Sequence, residues 1–146
     1  LTSDISVKID LLGEMGVYFR ILDELNKAEE KLLMALRLIE ANKLGSKKEI
    51  QQKIRLGHVY HWQKNFEKSN KLFDEIIQFC HQEDQTYLDF ALQHAGKNLF
   101  DQEKYIEALD CFKKALDLRT KINSPADQIA STQKAVKETE QRLGIK

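Results

Sequence analysis

Tyr105-Ile106-Glu107-Ala108-Leu109-Asp110-Cys111-Phe112-Lys113-Lys114-Ala115-Leu116 decides how this chain folds. Ala108, Phe112 and Ala115 stand four and three residues apart, the spacing that lines up side chains on one face of an α-helix. The same small, bulky and third-position columns recur upstream as Ala28, Leu32 and Ala35, and again as Ser69, Phe73 and Ile76. Ahead of each set stands a large apolar residue, Leu25, Phe66 or Tyr105, and nine residues before that a glycine, Gly16, Gly57 or Gly96. The three glycines are 41 and 39 residues apart, and three residues after each comes Phe19, Tyr60 or Leu99. Self-similarity at a fixed period of this length marks a stack of repeated supersecondary units.

Each unit reads as two helices. The first carries the glycine, and the second carries the small-bulky-small column. Where two antiparallel helices cross closely, a position with little or no Cβ lets the partner approach. A glycine inside a helix costs about 1 kcal/mol relative to Ala, so three of them in matched places point to close packing that offsets the cost. The remaining punctuation agrees. Gly45 followed by Ser46-Lys47-Lys48-Glu49 reads as a helix end and then a capping box. Asn65 reads as an N-cap. Ser124-Pro125-Ala126-Asp127 opens another helix with Pro125 at its first position. These signals predict helices near 4–22, 25–43, 47–63, 66–82, 85–101, 104–121 and 125–142. The seventh has no partner and is expected to cover the open end of the stack.

Leu56-Gly57-x2-Tyr60 with Phe66, Ser69 and Phe73, and above all Gly96 through Ala115, resemble the tetratricopeptide repeat. The resemblance covers residues 5–142 and is loosest in the first unit. It implies an all-α fold, a right-handed α-α superhelix of three helix pairs (5–43, 47–82 and 85–121) plus a C-terminal capping helix at 125–142. It departs from the family in its period, since about 34 residues is usual. The Trp column holds Leu12, Lys53 and Leu92, and the terminal Pro is replaced by Glu40, His81 and Thr120. In period it is similar to kinesin light chains and to Gram-positive regulators that sense peptide pheromones. HEAT and armadillo repeats share the period but lack the Gly and Ala columns.

In the family the first helix of each unit forms a concave groove, and the partner lies there. Carried over, the groove stripe is Asp10, Gly13, Val17 and Arg20 in the first unit. It is Gln51, Ile54, His58 and His61 in the second, and Phe90, Gln93, Lys97 and Phe100 in the third. The mixed apolar, polar and weakly basic character suits an extended peptide or a partner helix better than a polyanion. The alternative for Phe90 and Phe100 is packing against neighbouring helices. The family's clamp for a chaperone's C-terminal carboxylate is missing: Gly13 and Val17 stand at its first-unit places, His58 on the second, and Gln93, His94 and Lys97 on the third. Trp62, beside the turn at Lys64-Asn65, is expected to cap that hydrophobic corner; left exposed, it would be a partner anchor.

Composition narrows the rest. Of 146 residues, 23 are Lys or Arg and 23 are Asp or Glu, so no net field steers the chain to nucleic acid or an anionic membrane. Apolar residues at 42% suffice for a core. Six Gly and one Pro are too few for a many-stranded sandwich. Two cysteines, Cys80 and Cys111, do not make a disulfide framework, and a cytoplasmic setting with inert packing thiols is expected. No phosphate loop, nucleophile elbow or metalloprotease motif is found, and the reading is non-enzymatic, with no cofactor. His58, His61 and His94 lack an obvious Cys or carboxylate to complete a metal site. The lack of an initial Met reads as a fragment of a longer protein. The expected function is therefore a protein or peptide interaction module. The alternative is the peptide-sensing part of a larger bacterial regulator, and self-association through residues 1–20 or the last helix is a further reading.

Overall fold

In a computed structural model, the backbone is described for residues 2–145 and the side chains for residues 4–145. Among the described residues there are seven α-helices and no strand: α1 (Thr2–Ile21), α2 (Leu25–Ala41), α3 (Ser46–Trp62), α4 (Phe66–Gln82), α5 (Leu88–Asp101), α6 (Tyr105–Lys121) and α7 (Ala126–Arg142). The chain divides into two compact units, residues 1–72 and 73–146, with the boundary inside α4.

In unit 1, α1 packs on α2, α2 on α3, and α1 on α3. One apolar cluster joins Ala28 and Leu32 of α2 to Leu56, Val59 and Tyr60 of α3, with Phe19, Leu25 and Leu72 against it. A second joins Ile9 and Leu12 of α1 to Ala35 and Ile39 of α2. In unit 2, α5 packs on α6 and α6 on α7. The repeating columns are the core: Ala28, Leu32, Ala35, Ser69, Phe73, Ile76, Ala108, Phe112 and Ala115 are all buried.

The glycine columns do what the spacing predicts at the two places where the geometry is defined. A Cβ on Gly16 would stand 2.6 Å from Leu32 Cγ, and one on Gly96 would stand 2.5 Å from Phe112 Cε1. In these two repeats the bulky residue of the second helix, Leu32 or Phe112, occupies the space its glycine vacates.

Helix ends follow one design. At Asp23, Lys43, Lys64, Glu103, Asn123 and Gly144 the backbone turns left-handed. In each case the following N–H reaches back to the carbonyl five residues earlier, as Glu24 does to Phe19 (2.8 Å), Leu44 to Ile39 (3.1 Å) and Asn65 to Tyr60 (2.9 Å). This is the Schellman closure, which satisfies carbonyls the helix leaves orphaned.

Four sequence expectations shift here. Lys43, not Gly45, ends α2, and Leu44 packs against the cluster containing Ile39, the apolar contact that accompanies this closure. Gly45 is extended and is itself the N-cap of α3, so the Ser46-to-Glu49 capping box is not formed. Pro125 is the N-cap of α7, one position before the first helical residue. The fifth helix begins at Leu88, because Asp84 Oδ1 accepts from the Thr86 N–H (3.0 Å) and hydroxyl (2.6 Å) and winds Gln85–Tyr87 into a 3-10 turn. Asn65 acts as expected, its Oδ1 accepting from the Lys68 N–H at 3.4 Å.

Candidate functional site

The first-helix stripe lies in both units, and each unit's part has its own character. In unit 1, Val17, Arg20, Gln51 and His58 are half-buried, while Ile54 (7% exposed) and His61 (6%) are buried. Gly13 is a packing position, because the ends of the Gln52 and Arg55 side chains fill the space its Cβ would take.

At the C-terminal ends of α1 and α3 the stripe becomes an aromatic and cationic shelf. The Arg20 guanidinium lies 5.0 Å over the Trp62 ring. His58 meets Trp62 edge-on at 5.6 Å and stacks on His61 at 5.9 Å. Phe66 backs His61 at 6.3 Å. This follows from spacing: His58, His61 and Trp62 are three and four residues apart on one helix. Burial lowers the Arg20 pKa, and the guanidinium stays charged at neutral pH.

Trp62 departs from the corner-capping expectation. It is 44% exposed, held at the surface by Arg20 and His58. The exposed alternative is the arrangement found.

In unit 2, Lys97 is exposed and Gln93 is buried (4% exposed), with no hydrogen-bond partner for either amide atom. Phe90 and Phe100 take the packing alternative. Arg119 lies 5.1 Å over the Phe90 ring, and Phe100 meets Tyr105 edge-on at 5.1 Å with Arg142 5.5 Å away.

Sequence reasoning missed a buried polar network in this unit. Arg119 Nε donates to Asp89 Oδ2 at 3.0 Å, and its Nη1 donates to Thr132 Oγ1 at 2.8 Å and to the Gln128 carbonyl at 3.3 Å. Both charged side chains are almost fully buried. The signal was available. Arg119 lies four residues beyond Ala115, in the column that holds Ile39 and Cys80 in the other units, and Asp89 lies in the column of Ile9 and Ile50. The ion pair stands where unit 1 places the apolar contact of Ile9 and Ile39.

Other features carry no evident chemistry. Burial, reinforced by Asp110, pushes the Cys111 thiol up to about 11, and burial raises Cys80 as well. Among the described residues, no group of three or more His, Cys, Asp or Glu is placed to hold a metal ion, and no helix is long and apolar enough to cross a membrane. A shallow hollow of about 750 Å³ near the start of α2 is lined by Asp23, Glu24, Asn26, Glu29, Gln63 and Asn65. Gln63 Nε2 already donates to Glu29 (3.0 Å) and Asn26 (3.3 Å) there.

With this geometry in place, comparison with known proteins assigns the class. The family model described as tetratricopeptide repeat matches residues 49–121, half of the chain. The chain belongs to the tetratricopeptide repeat family, whose repeats generally mediate protein–protein interaction. No curated protein matches the sequence. Among solved structures, the crystal structure of BtubC (BKLC) from P. vanneervenii is similar in fold, with a TM-score of 0.79 at 16% sequence identity. The match covers 96% of this chain and 58% of that one, so the chain spans little more than half the length of its structural neighbour.

Proposed function

We propose that this chain is a non-enzymatic interaction module that takes an extended segment of a partner protein or peptide on the first-helix face of unit 1, with the shelf there as the anchor. The observation that carries the reading is Trp62, a large ring kept 44% exposed between Arg20 and His58. A rigid aromatic with few rotatable bonds, beside a guanidinium, is the combination that dominates binding energy at protein interfaces. An apolar side chain of the partner fits against Trp62, and its main-chain carbonyls or a carboxylate would accept from Arg20 and His58. Val17 and Gln51 extend that face in unit 1. In unit 2, Gln93 is buried and Phe90 is engaged with Arg119, which leaves Lys97 as the exposed polar member of that stripe. Free Cys80 and Cys111 support a reducing, cytoplasmic setting.

Selection of binding peptides from a random library on the immobilised chain, followed by calorimetry, tests this reading. Trp62→Ala is expected to weaken the selected peptides by about 2 kcal/mol or more, the range of interface hot spots. His58→Ala should cost about tenfold in affinity. Unchanged affinity in both variants removes the shelf from the interface.

A further inference from the structure

Where the C-terminal half of α2 meets the first turns of α3, unit 1 has a hollow of about 560 Å³. Its apolar floor is Leu33, Leu36, Ile39 and Leu44. Leu36 stands at the margin of both apolar clusters of the unit, Leu33 flanks one of them and Leu44 the other. The hollow is therefore a gap in the wall of the core, where Ile39 is buried and the three leucines are only half-buried. Its rim is charged, with Arg37, Lys43 and Lys53 against Glu40 and Glu49. Lys53 is taken up by Glu49 at 2.9 Å. Arg37, Glu40 and Lys43 are exposed and form no ion pair among the described residues, which leaves one positive charge in excess.

The repeat does not impose this combination. At the matching places in unit 2 the floor residues Leu33, Ile39 and Leu44 are replaced by Lys113, Arg119 and Ser124, and the rim cations Arg37 and Lys43 by Asp117 and Asn123. An apolar floor under unpaired cations belongs to the α2–α3 junction in particular. We infer that this hollow binds a small amphipathic anion, a medium-chain alkyl or aryl carboxylate. Its apolar body lies on Leu33, Leu36 and Leu44, and its carboxylate sits between Arg37 and Lys43. Small-molecule sites have volumes of about 300–1,000 Å³ and pair an apolar lining with a few polar groups that fix orientation. Covering the half-buried leucines removes apolar surface from water. The carboxylate stays at the exposed rim, where it keeps part of its hydration and can accept two parallel N–H bonds from the Arg37 guanidinium. A cationic head in the same place would meet the excess positive charge. The hollow shares no residue with the Trp62 shelf.

Titrating the native chain with decanoate below its micelle concentration, followed by amide chemical shifts in NMR, tests this. Decanoate should saturate a single site below about 1 mM, with the shifts centred on the second half of α2 and the start of α3. Decyltrimethylammonium, which has the same tail and the opposite charge, should bind at least about tenfold more weakly. Arg37→Glu combined with Lys43→Glu, both at exposed positions, should weaken decanoate at least about tenfold and turn the preference toward the cationic probe. Circular dichroism checks that this variant stays folded, and Trp62→Ala should leave decanoate binding intact. A native chain that shows no saturable shifts at the α2–α3 junction overturns the inference. So does equal binding of the two probes, or decanoate affinity indifferent to the charge reversal. Shifts centred on Trp62 and abolished by Trp62→Ala would assign the anion to the shelf and overturn it as well.

Discussion

Gly96 and Phe112 show how much a single atom decides in this fold. Phe112 is 2% exposed and its ring passes through the space where a Gly96 Cβ would sit. Gly96→Ala should gain about 1 kcal/mol of helix propensity and lose about 1–3 kcal/mol to overpacking, for a net destabilisation in urea unfolding; a stabilised variant would show that the ring can move aside. Cys111 offers a second test at this scale. Its thiol is raised from 9.0 to about 11, chiefly by burial. Because the thiolate is the reactive form, iodoacetamide labelling near pH 8 should run roughly a hundredfold slower than for an ordinary cysteine when followed by peptide mass spectrometry. The raised value favours the folded chain below pH 9.0, and that contribution fades as pH climbs through about 11. Labelling at the rate of a free thiol would contradict the burial. The glycine positions were legible in the sequence because a side chain missing at the same place in every repeat marks a close helix crossing. The exposure of Trp62 was not, since spacing places the ring at the end of α3 but does not say whether Arg20 and His58 or the turn will hold it.

Asp89 and Arg119 join α5 to α6, and Thr132 extends the network to α7. Removing one charge leaves the other buried and alone, so Asp89→Ala should cost about 3–5 kcal/mol in chemical denaturation. Replacing both by Ile restores the apolar pair that unit 1 builds from Ile9 and Ile39, and it should recover most of that loss or exceed the native stability. A double variant as unstable as Asp89→Ala would mean that the hydrogen bonds to Thr132 and Gln128 matter more than the charges. Helix existence and extent were readable at this scale, because apolar periodicity over about seventeen residues is a strong signal. Helix ends were less so. Four of the six left-handed closing residues, Asp23, Lys43, Lys64 and Glu103, are neither Gly nor Asn, so the chain stops its helices through backbone closure and packing at residues that carry no turn chemistry of their own.

Across the whole molecule, the repeat was legible from columns alone, and its family follows from the match over residues 49–121. The candidate site was legible only as a stripe: periodicity identifies which residues share a face, but burial depends on neighbours that the pattern does not specify. Ile54, His61 and Gln93 are buried, while Arg20, His58 and Trp62 form the accessible part in unit 1. Zero net charge leaves recognition to local chemistry, and in unit 1 the shelf gathers aromatic and cationic side chains in one place. The central claim is that the shelf is where a partner segment lands. Trp62 is the only tryptophan in the sequence, so intrinsic fluorescence reports on that place alone. Titrating the chain with library-selected peptides should shift Trp62 emission to shorter wavelength as the 44% exposed ring is covered, with the same midpoint that calorimetry gives and a weaker one in His58→Ala. Saturable peptide binding that leaves the tryptophan emission unchanged would place the partner elsewhere and contradict the claim.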